Sequence, residues 1–265
     1  MRGVAVGVDA GGTSTVASYS QDGVFCQTLS AEGASATTLG TEEAASRIVG
    51  LIENLLAEKT PASIYVGAAG AGRIEIAQRL QKAIAQRYAH TQVRVSDDAH
   101  IALRACVPSG PGIVLIAGTG SIAYAENAAG QAFRAGGYGF LLGDDGSGFS
   151  IGLAATKLLA RIYDGRGISD ELKPELESRL GVSDQAGLFD LVYAPEQPPV
   201  TLIASLAPHI LALASNGVRS AHKIVQTAAL ELGDLVKVVA KKSGLSAEPC
   251  PLVLGGGLMR ENSLL

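Results

Sequence analysis

The sequence predicts an α/β protein of two halves, each a mixed or parallel sheet flanked by helices. Short apolar runs alternate along the chain with segments of helical periodicity, which is the pattern of α/β folds. A strand, a glycine-rich loop, a strand, a turn and a further strand start near residue 3, and the same order starts again near residue 112. This repeat indicates a weak internal duplication. The proline- and glycine-rich segment 108–112 predicts a boundary between two domains, residues 1–107 and 108–265.

In the first half, apolar side chains recur at helical spacing over residues 42–58, and two glutamates in the first turn favour a helix start there. The Gln-Asp-Gly turn at 21–23 separates two short apolar runs and predicts a tight connection between strands. In chain order, the predicted strands are 3–9, 14–19, 24–29, 64–69 and 92–96, and the predicted helices are 42–58 and 74–88.

The second half is predicted to be mostly helical after its first strands. Its final helix has a broad apolar face, which indicates either a buried core helix or a dimer surface, so a homodimer is left open. In chain order, the predicted strands are 113–117, 121–125, one after the turn 129–131, and 251–254, and the predicted helices are 147–162, 170–180, 201–215 and 217–243.

Composition narrows the class of partner. The chain has 265 residues, 47% of them hydrophobic, and a net charge of −4. Because it contains no basic run, we expect no nucleic acid and no membrane surface among its partners. The N-terminus reaches a charge too early for a signal peptide, and the most apolar stretch, residues 201–215, is too short to span a bilayer. Three widely spaced cysteines, Cys26, Cys106 and Cys250, form no C-x-x-C pair and indicate reduced thiols, so we expect a cytoplasmic protein.

Glycine is abundant, at 33 residues, and much of it lies in four turns that each follow a predicted strand. Because glycine lets the backbone approach an anion closely, such turns can direct N–H groups at phosphates, and Thr13, Thr119 and Ser121 add hydroxyl donors. The P-loop, dinucleotide-binding and protein-kinase catalytic-loop motifs are absent. The four turns are Asp9-Ala10-Gly11-Gly12-Thr13, Gly118-Thr119-Gly120-Ser121, Gly136-Gly137-Tyr138-Gly139 and Gly255-Gly256-Gly257.

The turns resemble motifs of the acetate kinase, sugar kinase, Hsp70 and actin superfamily. Residues 9–13 resemble its first phosphate motif, 118–121 its second, and 254–258 its adenosine motif. Within the superfamily, the chain resembles the N-acetylglucosamine kinase and BadF/BadG/BcrA/BcrD ATPase family. Residues 136–148 are similar to its G-G-W-G-x-x-x-G-D-E-G-S-G block, and 95–99 to its V-x-N-D-A segment. The resemblance implies two actin-like, ribonuclease H-like domains with an interdomain cleft, the second carrying a helical insertion.

The same resemblance implies an ATP-dependent kinase that phosphorylates the 6-hydroxyl of N-acetylglucosamine or glucosamine. Asp9 would hold Mg²⁺ through water, and Asp98 would be the catalytic base that accepts the hydroxyl proton. The implied nucleotide-binding residues are Asp9, Gly11, Gly12, Thr13, Gly118, Thr119, Gly120, Ser121, Gly255, Gly256 and Gly257. The implied sugar-binding residues are Ser35, Ala36, Asp98, Thr119, Gly137, Tyr138, Gly139 and Asp144.

Some acidic positions have a structural alternative. Asp97 adjoins Asp98, and we expect it to cap the helix that follows, since adjacent strand residues point to opposite faces. Asp144 or Asp145 would equally serve as N-cap of the helix over 147–162, a role that is compatible with a sugar contact for Asp144. His100 lies two residues beyond Asp98 and is a candidate to line the same cleft.

The chain departs from the family pattern at three places. The loop 33–40 lacks the asparagine usual there, which leaves unacetylated glucosamine open as the acceptor. Tyr138 replaces the usual tryptophan, and Asp145 the usual glutamate. The chain stops at Leu265, just after the adenosine motif, which predicts a shortened C-terminal end. Two other functions stay open: a non-catalytic sugar or nucleotide sensor or truncated relative, and a BadF-type ATPase that activates a dehydratase, for which the cysteines lack the expected glycine-rich context.

Overall fold

A computed structural model describes residues 3–194, 199–259 and 264–265 of the chain. The chain divides into two compact units, unit 1 (Met1–Ala105) and unit 2 (Cys106–Leu265). Each unit has its own sheet and its own cluster of buried apolar side chains.

Unit 1 is built on a mixed five-stranded sheet. Its elements are β1 (Val4–Ala10), β2 (Ser14–Gln21), β3 (Val24–Glu32), α1 (Ala36–Leu39), α2 (Thr41–Leu56), β4 (Pro61–Ala68), α3 (Ile74–Arg87), β5 (Gln92–Asp97) and α4 (Asp98–Cys106). The strand order is β3-β2-β1-β4-β5, in which β1, β4 and β5 run parallel and β2 is antiparallel to both β1 and β3. The carboxyl ends of the three parallel strands therefore meet at one edge of the sheet.

The core of unit 1 lies between this sheet and its helices. Ile48 and Ile52 of α2 are fully buried, as helical periodicity requires of residues one turn apart. They share a cluster with Val66 of β4 and with Leu80 and Ile84 of α3. This packing fixes the parallel strands, and with them the edge at which they end.

Unit 2 repeats part of that topology and adds helices. Its elements are β6 (Gly112–Ala117), β7 (Ser121–Glu126), β8 (Ala132–Gly136), α5 (Gly148–Tyr163), α6 (Leu172–Leu180), α7 (Gln185–Tyr193), α8 (Val200–Ser205), α9 (Ala207–Ser215), α10 (Arg219–Ser243) and β9 (Leu252–Gly255). The sheet order β8-β7-β6-β9 has the same strand directions as β3-β2-β1-β4 in unit 1. The predicted duplication is thus present in the topology.

Two helical segments of unit 2 differ from the sequence prediction. The helix expected over 201–215 is two helices, because Pro208 lies in the first turn of α9, where its missing N–H costs no hydrogen bond. Helix α7 was not predicted, because only Leu188 within it is buried and the apolar periodicity is correspondingly weak. Asp184 caps this helix by accepting a hydrogen bond from the Gly187 amide at 2.8 Å.

Among the described residues, no single helix is both long and apolar enough to cross a membrane, although one bent pair, Val200–Ser215 with Arg219–Ser243, meets the length and composition criteria at an angle of 115°.

Candidate active site

The first glycine turn follows β1 and is braced by the loop after β3. The Gly33 amide donates to the Thr13 carbonyl at 3.1 Å, and the Ala34 amide donates to the Gly11 carbonyl at 3.1 Å. A side chain at Gly33 has no room, since its Cβ would lie 2.1 Å from the Gly12 oxygen. Gly12 and Thr13 themselves are exposed. Their backbone and hydroxyl donors are therefore accessible to a ligand.

Ser35 and Ala36, which are predicted to bind the sugar, follow directly after the two residues that make these hydrogen bonds. Ser35 and Ala36 are buried, and the Ser35 hydroxyl accepts a hydrogen bond from the Thr37 amide at 3.3 Å as the N-cap of α1. The Ser35 hydroxyl already has a structural partner, so its predicted sugar contact stays a prediction.

Two adjacent carboxyl groups stand where β5 becomes α4. The Ala99 amide donates to Oδ1 of Asp97 at 3.0 Å and to Oδ1 of Asp98 at 2.9 Å. Asp97 therefore binds the first turn of the helix, as its capping alternative predicts. Both side chains remain half-buried and close enough to interact.

This environment changes the acidity of Asp98. Burial, a hydrogen bond that the protonated Asp98 donates to the Asp97 carboxylate, and the negative charges of Asp97 and Asp9 together raise the pKa of Asp98 to about 7, against the opposing effect of the Ala99 amide. A carboxyl group with a pKa near neutrality is suited to general base catalysis, because it is ionised when needed yet binds a proton well.

Asp9 lies near the end of β1, two strands away from Asp97 in the sheet. Strands are spaced by about 4.8 Å, so the ends of β1 and β5 are about 10 Å apart. Burial raises the pKa of the Asp9 carboxyl above its ordinary value. Among the residues that the structure describes, no group of three or more side chains could enclose a metal ion. One carboxylate at an exposed edge fits Mg²⁺ held mainly by water and nucleotide phosphates.

Helix α4 is tied to the sheet by a network that the motifs did not predict. The Tyr65 hydroxyl on β4 lies 2.6 Å from Nδ1 of His100, and the Ser96 hydroxyl donates to Tyr65 at 3.1 Å. The ring of His100 meets Tyr65 edge to face. His100 is thus occupied in holding α4, the helix that carries Asp98, against β4.

The second glycine turn, residues 118–121 of unit 2, is held by residues of the segment 136–148, which resembles the family's G-G-W-G block. The Ser121 amide donates to Oδ1 of Asp144 at 3.2 Å, and the Ser121 hydroxyl donates to the Asp145 carbonyl at 2.7 Å. The Gly148 amide donates to the Gly118 carbonyl at 2.7 Å. The turn is therefore fixed at both of its ends.

Asp144 contacts this turn directly. Burial and the charge of Asp145 raise the pKa of the Asp144 carboxyl, while the Ser121 amide lowers it. A Cβ at Gly120 would lie 2.9 Å from the same carboxylate. The alternative that Asp144 or Asp145 caps the next helix is wrong, because Ser147 is the N-cap and accepts from the Ser150 amide at 3.2 Å.

The middle of the second turn remains open. Within the described ranges, the amides of Thr119 and Gly120 have no acceptor, and the Thr119 side chain is exposed. Two adjacent free N–H groups and a hydroxyl form the kind of backbone concavity that binds phosphate oxygens. The geometry therefore allows the predicted nucleotide contact.

The glycine turn after β9, residues 255–257, packs against the second turn. Gly256 has a φ of 92°, and a Cβ there would lie 2.3 Å from the Ala117 oxygen, so the position requires glycine. The Leu258 amide donates to the Ala117 carbonyl at 3.0 Å. Gly255 ends β9 beside β6, and Gly257 lies next to Gly118. The structure thus brings the two predicted nucleotide motifs of unit 2 together.

The remaining turn follows β8. The Gly137 amide donates to the Ser121 carbonyl at 2.9 Å, which joins this turn to the second one. The Tyr138 side chain is 66% exposed, and Gly139 is exposed beside it. The turn therefore presents an aromatic ring and accessible backbone next to the predicted nucleotide motif.

The cysteines lie apart from these turns. Cys26 is exposed on β3, Cys106 is exposed at the end of α4, and Cys250 precedes β9. Within the described ranges they belong to no group of three metal-ligating side chains.

Comparison with known proteins finds two similar proteins that are named as kinases of amino sugars. An N-acetylmuramic acid/N-acetylglucosamine kinase of Clostridium acetobutylicum is 28% identical over 271 residues, covering 98% of this chain and 87% of that one. An N-acetyl-D-glucosamine kinase of Dictyostelium discoideum is 34% identical over 155 residues, which cover 58% of this chain and 49% of that one.

Solved structures give the fold. A Chromobacterium violaceum protein, provisionally named an N-acetylglucosamine kinase, has a TM-score of 0.81 at 23% identity, covering 97% of this chain and 88% of that one. A glucokinase of the ROK family from Streptomyces griseus, crystallised with glucose and AMPPNP, has a TM-score of 0.57 at 19% identity, covering 96% and 83%. The predicted fold class, with two actin-like α/β domains, is confirmed.

The family follows from a match over nearly the whole chain. Residues 6–265 match the BadF/BadG/BcrA/BcrD ATPase family, which leaves only the first five residues outside. The turns described above occur within this span in the expected order. The chain therefore belongs to the BadF/BadG/BcrA/BcrD ATPase family.

Proposed function

We propose that the protein is an ATP-dependent kinase that phosphorylates the 6-hydroxyl of an amino sugar, N-acetylglucosamine or glucosamine. ATP use accords with its family, and the two curated relatives are named as kinases of such sugars. The observation that carries the proposal is the half-buried Asp98, whose pKa is raised to about 7 and which directly follows the carboxyl end of the parallel strand β5. Catalytic groups of open α/β sheets stand at this position.

In the proposed reaction Asp98 accepts the proton of the acceptor hydroxyl as the oxygen attacks the terminal phosphorus of ATP. The attacking oxygen forms a bond to phosphorus, the bond to the bridging oxygen breaks, and ADP leaves. The open amides of Gly12, Thr119 and Gly120, with the Thr13 and Thr119 hydroxyls, stabilise the negative charge of the phosphates.

Mg²⁺ bound by the nucleotide would neutralise part of the phosphate charge, and Asp9 would hold its waters. Gly255, Gly256 and Gly257 contact the adenosine in this proposal. Gly137, Tyr138, Gly139 and Asp144 contact the sugar, together with Ser35 and Ala36. We place the enzyme in the cytoplasm, where ATP is available, and a homodimer remains a prediction.

The test is ADP release from Mg-ATP with a panel of acceptors. We would compare glucosamine, N-acetylglucosamine, N-acetylmuramic acid, N-acetylmannosamine and glucose, since one curated relative is named for two of these sugars. ADP release that depends on an amino sugar is the expected result. A 6-phosphate in the product, identified by NMR, would establish the position of transfer.

The matched control is Asp98→Asn, which preserves the shape of the side chain but cannot accept the proton. Turnover is expected to fall by about 10²-fold or more, with ATP binding unchanged by calorimetry. Sugar binding with no ADP release by the parent protein would instead indicate a sensor. An active Asp98→Asn protein would exclude Asp98 as the base.

A further inference from the structure

Arg134 makes a set of contacts that the proposed mechanism does not use. It lies on β8, and its Nη2 donates to the carbonyl of Gly137 at 2.8 Å and to the carbonyl of Gly136 at 3.3 Å. Its guanidinium also lies 5.8 Å from the centre of the Tyr138 ring, within the range of a cation–π interaction. One side chain thus contacts three successive residues of the turn.

The backbone of this turn needs such support. Gly136 and Gly137 both have positive φ, 73° and 68°, a backbone conformation that glycine adopts without the strain other residues would incur. A Cβ at Gly137 would lie 2.6 Å from Nη2 of Arg134 and 2.9 Å from Ile122. The glycine is therefore needed to let the guanidinium reach the turn, and the guanidinium provides the donors that the carbonyls require.

The same turn is joined to the predicted nucleotide motif. The Gly137 amide donates to the Ser121 carbonyl, and the Ser121 amide in turn donates to Asp144. Arg134 binds the carbonyls of Gly136 and Gly137 in the same turn, so the turn is attached both to Ser121 and to the guanidinium. The two attachments leave the Tyr138 ring exposed in a defined orientation, because the guanidinium contacts it as well.

We infer that Arg134 is a positioning residue for the acceptor: it fixes the backbone of residues 136–138 and the Tyr138 ring so that they contact the sugar. The inference rests on the proposed function, since it assigns the ligand of this turn to the acceptor and not to ATP. Arginine suits the role because its rigid planar group holds Nη2 at the two carbonyls while the guanidinium lies over the ring, whereas a lysine ammonium sits on a flexible stem.

The first test compares Arg134→Lys with the parent protein in steady-state kinetics. Lysine keeps the charge but loses the planar group that holds Nη2 at both carbonyls, so the KM for the acceptor should rise by roughly ten-fold or more, as expected for a lost hydrogen bond to a charged group. The KM for ATP and kcat should stay within about two-fold. A matched control is Arg179→Lys, because Arg179 is an exposed arginine of unit 2 whose contact is a surface pair with Glu175.

A second measurement reports acceptor binding without turnover. The chain contains no tryptophan, so Tyr138→Trp introduces a single indole at the turn. We would titrate the acceptor against its fluorescence with Arg134 intact and with Arg134→Lys. The dissociation constant should rise in the second protein by the same factor as the KM, and the emission in the absence of sugar should shift as the ring loses the planar guanidinium beside it.

The outcomes separate the two proposals. If the parent protein releases no ADP with any sugar, the proposed function fails, and the inference fails with it. If the parent is active but Arg134→Lys leaves the acceptor KM and the dissociation constant unchanged, only the inference is overturned. An equal rise in the KM values for ATP and acceptor, or a loss of thermal stability with unchanged KM values, would show a general structural role and would also overturn it.

Discussion

At the scale of single residues, the acidity of Asp98 makes a prediction about pH. Its pKa is raised to about 7 by burial and by Asp97 and Asp9, which face it from β5 and β1. His100 is the other titratable group on the same helix turn, and its Nδ1 is bonded to Tyr65. Because only the ionised Asp98 accepts a proton, kcat/KM for the acceptor should rise with pH and level off above about 7.

The substitution Asp97→Asn tests the origin of this acidity. Asparagine keeps an oxygen that can accept the Ala99 hydrogen bond, but it removes a negative charge beside Asp98. The pKa of Asp98 should fall, so the midpoint of the pH–rate profile should move to lower pH by roughly one unit, with the plateau rate within about two-fold. The measurement is the profile of kcat/KM for both proteins. A midpoint that stays in place would show that Asp97 does not act on Asp98.

Sequence motifs predicted some of these residues and missed others. Asp98 and the glycine turns belong to runs whose residue types and spacing are characteristic, so the sequence alone selects them as candidates. Arg134 and Tyr65 are single residues outside any motif, and their roles depend on contacts with Gly137 and His100 that only the fold creates. The carboxylate of Asp144 could be predicted as functional, but its bond to Ser121 could not.

At the scale of elements, helix α5 packs closely against the neighbouring helix α8 in unit 2. Gly152 faces α8, and a Cβ there would lie 1.9 Å from the Ile203 oxygen, which belongs to backbone and cannot move aside cheaply. Gly152→Ala should therefore lower the free energy of unfolding by about 1–3 kcal/mol, as overpacking does. Thermal or urea unfolding of the full chain measures the change.

The control is a glycine in another helix of the same unit. Gly233 lies in α10 and has no atom within 4 Å of the position that a Cβ would occupy. Gly233→Ala should stabilise the protein by about 0.5–1 kcal/mol, because alanine restricts the unfolded chain more than glycine does. If both substitutions were equally neutral, the close packing of α5 on α8 would be wrong.

Helix prediction succeeded or failed for reasons visible at this scale. Helix α2 was predicted well because its buried residues recur every turn, from Ile48 to Ile52 and Leu55. Helix α7 buries only Leu188 and so carries little periodicity. The split of 201–215 was indicated by Pro208, but the surrounding apolar residues continued a helical pattern across it.

At the scale of the whole molecule, the two buried clusters have separate membership. Among the residues that the structure describes, the cluster of unit 2 runs from Ile113 to Leu258 and contains no residue of unit 1, whose own cluster ends at Val93. A unit whose core is formed entirely by its own residues, at a size typical of single domains, is expected to fold by itself. The repeated strand order supports this expectation, because each unit forms its own sheet and no strand is shared between the two sheets described.

We therefore expect a fragment of residues 106–265 to fold alone and to unfold in one cooperative transition, as followed by circular dichroism during heating. The control fragment begins at residue 120 and lacks β6, the strand that pairs with both β7 and β9 and that contributes Ile113 and Leu115 to the core. Without this central strand the fragment should show no cooperative transition. If the fragment 106–265 also unfolded without cooperativity, the core of unit 2 would depend on residues outside it, and the two clusters would not be independent.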